Sequence, residues 1–289
     1  MGLYLAGHSL GLAVALLLTG IAIPRGGYVL AFWLLASGPL VGGGLAWLAA
    51  HATANVVASR TGAQRFGTAV VKNRPAMLVI AGYTFHSWEL LGMWAWTPAF
   101  LAACFVAAGS EFTRGAGLGA YMTSLFHVTG MIAALVAGVL ADRFGRTPVI
   151  FVMASLSAAC SLTFGWLLGA PLAIVVSVGL LYGFSGLGDS PIYSTAITEV
   201  VPSAYRGSAL ALRSLLGYGA GAIAPLLFGA ILDWYGGRTA GAWGWAFVSL
   251  GIAGVGAVIS VVLLHGTPEA AVLRVDAGRR AGAASVPAR

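Results

Sequence analysis

The sequence predicts an all-α fold, a polytopic membrane bundle of about eight transmembrane helices, and three observations carry that prediction. Of 289 residues, 59% are hydrophobic and only 8% charged, against roughly 25% charged in an ordinary soluble domain. Apolar runs of bilayer-spanning length, about 20 residues, recur along the chain and are parted by short polar connectors. No membrane-strand alternation is present, and lipid cannot satisfy an open strand edge, so helices are the remaining way to cross.

Taken in order, the runs predict spans over 3–23, 27–49, 76–107, 116–140, 147–169, 171–199, 207–232 and 243–264. The connector from Pro24 to Gly27 is short enough to make its neighbours antiparallel. The third and sixth runs exceed one bilayer thickness and should tilt, kink or project. The 42 glycines suit helices whose backbones approach closely. Two segments are too polar to span. One is His51 to Pro75, with Arg60, Arg65, Lys72 and Arg74; the other is the tail from His265, expected to be disordered.

The charge pattern sets the orientation. The formal charge of +7 and pI near 9.9 would fit a nucleic-acid binder, but the bases form no amphipathic patch. They gather in connectors. Twelve of the fifteen lie on one side of the predicted topology, leaving Arg25, Arg114 and Arg238 on the other. The positive-inside rule then puts the long connector and both ends in the cytoplasm. Cys104 and Cys160 sit inside apolar runs without CxxC or Cys/His spacing, so neither a disulfide framework nor a metal site is expected. No cofactor motif is present; the bilayer is an expected partner and nucleic acid is not.

After the fourth span comes a run containing Gly138, Leu140, Ala141, Asp142, Arg143, Gly145 and Arg146. Gly138 would let helices pack closely, Gly145 would allow a tight turn, and Asp142 with two arginines would form a charged latch at the membrane face. This run resembles the G-x-L-A-D-R-x-G-R loop signature of major facilitator superfamily transporters, with Thr147 where a further base often stands. Residues 2–10 and 207–215 share five identities in nine positions, at Gly2, Leu5, Ala6, Ser9 and Leu10. They begin spans six apart, the period of that family's two halves.

Pro202 to Gly207 resembles the loop before the family's eleventh helix, and 51–75 resembles the linker between its halves. The resemblance therefore implies helices five to twelve: residues 1–50 as the last two of an N-terminal bundle, 51–75 as linker, 76–264 as a six-helix C-terminal bundle, and 265–289 as a cytoplasmic tail. A chain beginning at the fifth helix is expected to be a truncated or internally initiated product, inactive by itself if the missing helices are needed. Gly38, Pro39, Gly42 and Gly43 are similar to the GPxxGG element of proton-linked drug exporters, but on the wrong helix of this register, and are read as a packing kink. The family resemblance implies secondary transport of a small solute by alternating access, with protons as a candidate coupling ion, in the inner membrane.

Intramembrane ionisable groups are costly and mark the candidate path. His86 and Glu89 are three residues apart on the third span, so a hydrogen-bonded pair could exchange protons; Tyr83, Met93 and Trp96 extend that face. Asp189, within Gly186 to Pro191, should interrupt the sixth span, as a site residue or as a helix N-cap. His127 is alone in the fourth span, where a packing role is the commoner one. Arg213 could attract an anion, although snorkelling to the interface is favoured. Trp88, Trp94 and Trp96 could stack on a solute, while Trp234, Trp243 and Trp245 suit an interfacial belt. No GxSxG, HExxH or phosphate-loop motif supports an enzyme. An intramembrane enzyme would need His86, Glu89, His127 and Asp189 to converge around a nucleophile.

Overall fold

The computed structural model describes residues 2–52, 66–237 and 239–274, with backbone alone for 2–6. Its helices are α1 (Gly2–Ala52), α2 (Arg74–Ala107), α3 (Phe112–Phe144), α4 (Arg146–Phe164), α5 (Leu172–Gly188), α6 (Ser190–Val200), α7 (Arg206–Trp234) and α8 (Ala240–His265). Seven helical stretches among the described residues are long and apolar enough to cross a membrane. The first of these stretches holds both of the first two predicted spans, joined across a kink, so the reading of about eight spans stands. Its backbone leaves helical geometry at Gly26 (φ −152°) and Gly27 (φ 64°, ψ −164°).

Local chemistry fixes the other boundaries. The Asn73 side chain accepts from Ala76 N at 3.1 Å and caps α2, with Pro75 in the first turn. Its amide also donates to Val200 O at 2.8 Å, tying the start of α2 to the end of α6. Glu111 caps α3 by accepting from the Thr113 and Arg114 amides, each at 3.0 Å. Those donors hold its carboxyl below the usual carboxylate range. Between α3 and α4 the chain turns on Gly145 alone, at φ 95°, a left-handed conformation that favours glycine. The expected tight turn is there.

The long sixth run divides as expected: α5 stops at Gly188, α6 starts at Ser190, and Asp189 stands between them. The Asp189 side chain makes no capping bond to α6, so only the break survives of the N-cap reading.

Helices α2 to α8 enclose two apolar clusters. One, towards the α2 start, includes Val79, Ile150, Tyr193, Ile197 and Leu264. The other, towards the α2 end, includes Phe100, Phe164, Phe228, Trp243 and Phe247. Trp96 lies in the latter, its ring 5.1 Å from Phe228 and 6.2 Å from Trp243. Trp243 is therefore a core residue, which corrects its assignment to the interfacial belt, and half-buried Trp96 packs on the same cluster. Trp234 and Trp245 are exposed, as a belt requires. The first half of α1 packs on α3, with Gly20 against Tyr121 and Gly117. From residue 32 onward α1 is almost wholly exposed.

The described part of the segment after α8, up to residue 274, is structured, against expectation. Residues Pro268–Leu273 form a 3-10 turn whose Ala270 and Leu273 are buried in the first cluster. Thr147 Oγ1 lies 2.8 Å from His265 Nδ1, and Arg274 forms an antiparallel bridge with Gly145. Two buried apolar side chains and two hydrogen-bonded links give this stretch something to fold against. The rest of the predicted tail, 275–289, and most of the linker, 53–65, lie outside the described residues.

Candidate functional site

Two polar centres sit on α2, inside the apolar bundle. The first surrounds His86. Its Nε2 shares a 2.6 Å hydrogen bond with Ser190 Oγ, and its Nδ1 lies 3.2 Å from Asp189 Oδ1. With the ring proton on Nδ1, His86 faces the carboxylate with a donor and accepts the Ser190 hydroxyl. Stopping α5 at Gly188 is what brings Asp189 and Ser190 to this ring. All three side chains are buried or nearly so.

The second centre holds Glu89. Ser157 and Ser161 of α4 donate to its Oε1 at 2.8 and 2.7 Å, and Ser161 also shares a short hydrogen bond with the Tyr182 hydroxyl. A Cβ on Gly254 of α8 would lie 2.6 Å from Glu89 Oε2, so glycine there makes room for the carboxylate. The expected His86–Glu89 pair does not form. Three residues of helix aim the two side chains at different neighbours, α6 for His86 and α4 for Glu89. His127 belongs to a separate group, beside Trp94.

Arg213 does not snorkel. It is 8% exposed, its guanidinium lies 4.1 Å over the Tyr83 ring centroid, and Nη1 donates to Ser194 Oγ at 2.5 Å. Position 213 is too deep in the bundle, and Gly217, where a Cβ would meet Tyr83 at 2.5 Å, gives that aromatic ring its place. Tyr83 also borders His86, with ring centroids 5.9 Å apart. The predicted Tyr83 face therefore links the histidine to the arginine. His127 packs beside Trp94 in a tilted arrangement, ring centroids 5.2 Å apart, and Trp94 in turn lies 5.4 Å from His8.

A wider apolar cleft lies elsewhere. About 870 Å³ in volume, it is lined mainly by apolar residues of α1, α2 and α3, such as Leu16, Ala102, Val106 and Phe112. It lacks the polar partners that fix a solute's orientation, so the chemistry favours the smaller buried centres.

The signature loop forms a latch with a member that the sequence reading missed. Arg146 pairs with Asp142 of α3 across the Gly145 turn and with Glu199 of α6, Nη2 to Oε1 at 3.0 Å and Nε to Oε2 at 3.3 Å. Arg143 instead lies over the Phe144 ring, 5.3 Å from its centroid. Gly138 packs against nothing: a Cβ there would meet no atom within 4 Å. It borders a cleft of about 260 Å³ with Asp142, Arg146 and Thr195, which corrects its close-packing role. Glu199 was traceable, being one of eight acidic residues and on the same predicted side as Asp142. Ser157 and Ser161 also leave a signal, two hydroxyls one turn apart in an apolar helix.

Comparison with known proteins agrees with this architecture. The model of the Major Facilitator Superfamily matches residues 107–288. An uncharacterized MFS-type transporter of Mycobacterium tuberculosis is 29% identical over 156 residues, 52% of this chain and 24% of its own length. A Staphylococcus haemolyticus protein named for proline/betaine transport is 30% identical over 174 residues, 55% of this chain and 35% of its own. The matched segments thus span about a quarter to a third of these relatives. With a family match over more than half its length and membrane-length helices throughout, the chain is an integral membrane protein and belongs to the Major Facilitator Superfamily.

Proposed function

We propose that this chain carries out the larger share of a secondary transport cycle, moving a small polar solute by alternating access in the inner membrane. One observation carries the reading: buried charged and hydrogen-bonding groups, His86, Glu89, Asp189 and Arg213, converge from α2, α5/α6 and α7 within an apolar bundle. Such groups inside a membrane are expensive and are kept where a solute or ion passes. His86 and Asp189 form the candidate proton relay, and Glu89 the second carboxylate that could exchange a proton. His127 borders the path beside Trp94. The helix break at Asp189 supplies the interrupted helix that transporters of this kind use at their binding sites.

In this reading residues 1–50 belong to an N-terminal bundle, 51–75 to a linker and 76–264 to the C-terminal bundle. The ends of α2, α3, α6 and α8 tied together by Asn73, Arg146 and His265 face the cytoplasm, with both termini. The Asp142–Arg146–Glu199 latch holds α3, α4 and α6 together there in one of the two access states. The relative named for proline/betaine transport supports a small polar solute over a lipophilic one.

Proteoliposomes containing the full chain test the proposal. Uptake of labelled amino acids, betaines and sugars is followed with and without an inward proton gradient. Gradient-stimulated accumulation of at least one solute, reduced in Asp189→Asn, is expected. A well-folded protein that moves none of them contradicts the proposal.

A further inference from the structure

Six buried side-chain nitrogen or oxygen atoms among the described residues lack a hydrogen-bond partner, and three of them belong to residues packed around the Tyr83 and His86 rings. They are Arg213 Nε, Asp189 Oδ1 and the Tyr193 hydroxyl. Arg213 has Ser194 and the Tyr83 ring as neighbours, but no carboxylate within 4.0 Å among the described residues. Asp189 has only the His86 ring at ion-pair distance. A buried cation and a buried carboxylate thus share a neighbourhood without neutralising one another, an arrangement that desolvation penalises strongly.

The spacing is set by α6. Ser190 holds His86 and Ser194 holds Arg213. These serines are four residues apart on one helical face, about 6 Å along the axis. The Tyr83, His86 and Tyr193 rings fill the interval, with centroids 5.6 to 6.1 Å from one another. The cluster therefore offers a positive pole, a negative pole one helical turn away, an aromatic wall and an unused hydroxyl.

We propose that this cluster recognises a small zwitterion, a solute with one carboxylate and one positively charged nitrogen. Arg213 takes the carboxylate, with Nε as the free donor, and the Tyr193 hydroxyl is available as a second. Asp189 faces the cationic end, while His86 stays held by Ser190 at Nε2. A solute with only one of the charges leaves the opposite pole buried and uncompensated, which is the basis of the discrimination. The inference rests on the transport reading, because access to so buried a cluster requires the α6 half-helix to move at the Asp189 break.

Binding to the purified full chain in lipid nanodiscs, by isothermal titration, tests the assignment with three probes of similar shape. Glycine betaine carries both charges, 3,3-dimethylbutyrate the anion alone and choline the cation alone. Glycine betaine is expected to bind on the order of tenfold or more tighter than either, the scale of losing one buried charged contact. Arg213→Gln should remove its advantage over choline, and Asp189→Asn its advantage over 3,3-dimethylbutyrate. Arg213→Lys should keep part of the first, and unchanged thermal unfolding shows that each variant is folded.

Equal binding of the three probes, or variants that weaken all three alike, overturns the inference and marks Arg213 as structural. If none binds while the same protein accumulates a sugar under a proton gradient, the zwitterion site falls and transport stands. Betaine binding that depends on both poles, without accumulation of any solute, leaves the site and removes transport.

Discussion

Replacing Glu199 by Gln should cost more stability than replacing Asp142 by Asn, although Asp142 is the residue that the loop signature displays. Both carboxylates contact Arg146, but their surroundings differ. The Asp142 side chain is 73% exposed and pairs across the Gly145 turn, and at such exposure the contact falls towards the low end of about 0.2–1 kcal/mol before salt screening. The Glu199 side chain is 29% exposed, receives two guanidinium N–H groups, and joins α4 to α6. A charge-assisted pair of that kind contributes about 1–2 kcal/mol after allowance for partial exposure. Thermal unfolding of the full chain in nanodiscs, at low and high salt, measures both. Glu199→Gln should lower the midpoint by several times the Asp142→Asn shift, and Arg146→Met combined with Glu199→Gln should cost less than the two separate effects added. An Asp142→Asn loss equal to or larger than the Glu199→Gln loss would refute this ranking, and with it the assignment of Glu199 as the principal partner.

Other parts of the account can be tested as directly. Glu89→Gln keeps a carbonyl for the Ser157 and Ser161 hydroxyls, so it should fold normally and lose the pH dependence of uptake; unaltered dependence assigns Glu89 a structural role. Gly254→Ala crowds the Glu89 carboxylate and should destabilise the bundle by about 1–3 kcal/mol, read as a lowered unfolding midpoint, with Gly254→Ala/Glu89→Ala partly restored. Leu273→Ala empties a fully buried position of the segment that covers the Gly145 turn; a loss of about 2–4 kcal/mol is expected, together with faster proteolysis after residue 265. Glu111 has its carboxyl held below the ordinary range by the Thr113 and Arg114 amides, so its cap is intact above that range and is lost as pH falls through the lowered value. Hydrogen exchange at residues 113–115 should therefore accelerate in acid, beyond the intrinsic change, in the natural chain but not in Glu111→Gln.

What the sequence made legible was set by physical range. Apolar run lengths located the helices, because the bilayer imposes a length on them. Gly145 and Asp189 were readable as a turn and a break because backbone chemistry acts within a few residues. Contacts between distant positions were not readable. Glu199 lies 53 residues from Arg146, and Ser190 lies 104 from His86; hydrophobicity says nothing about which helices meet. Arg213 illustrates the same limit: a cation two turns inside a helix can snorkel or turn inward, and only the placement of Tyr83 and Ser194 decides. The two predicted spans within α1 have the right length and apolar character. Gly26 and Gly27 part them at a kink, where the backbone leaves helical geometry.

Alternating access around the α6 face is the central claim, and a cysteine at Ser194 probes it where Arg213 and the half-helix meet. In a chain with Cys104 and Cys160 replaced by Ser, Ser194→Cys is exposed to a membrane-impermeant thiol reagent from each face of sealed, oriented vesicles. Ser194 is buried in the described state, so slow labelling is expected at rest. Labelling should rise from one face at a time, with the favoured face reversing when the proton gradient is reversed. Labelling from both faces together, or from neither face under either gradient, would contradict the account.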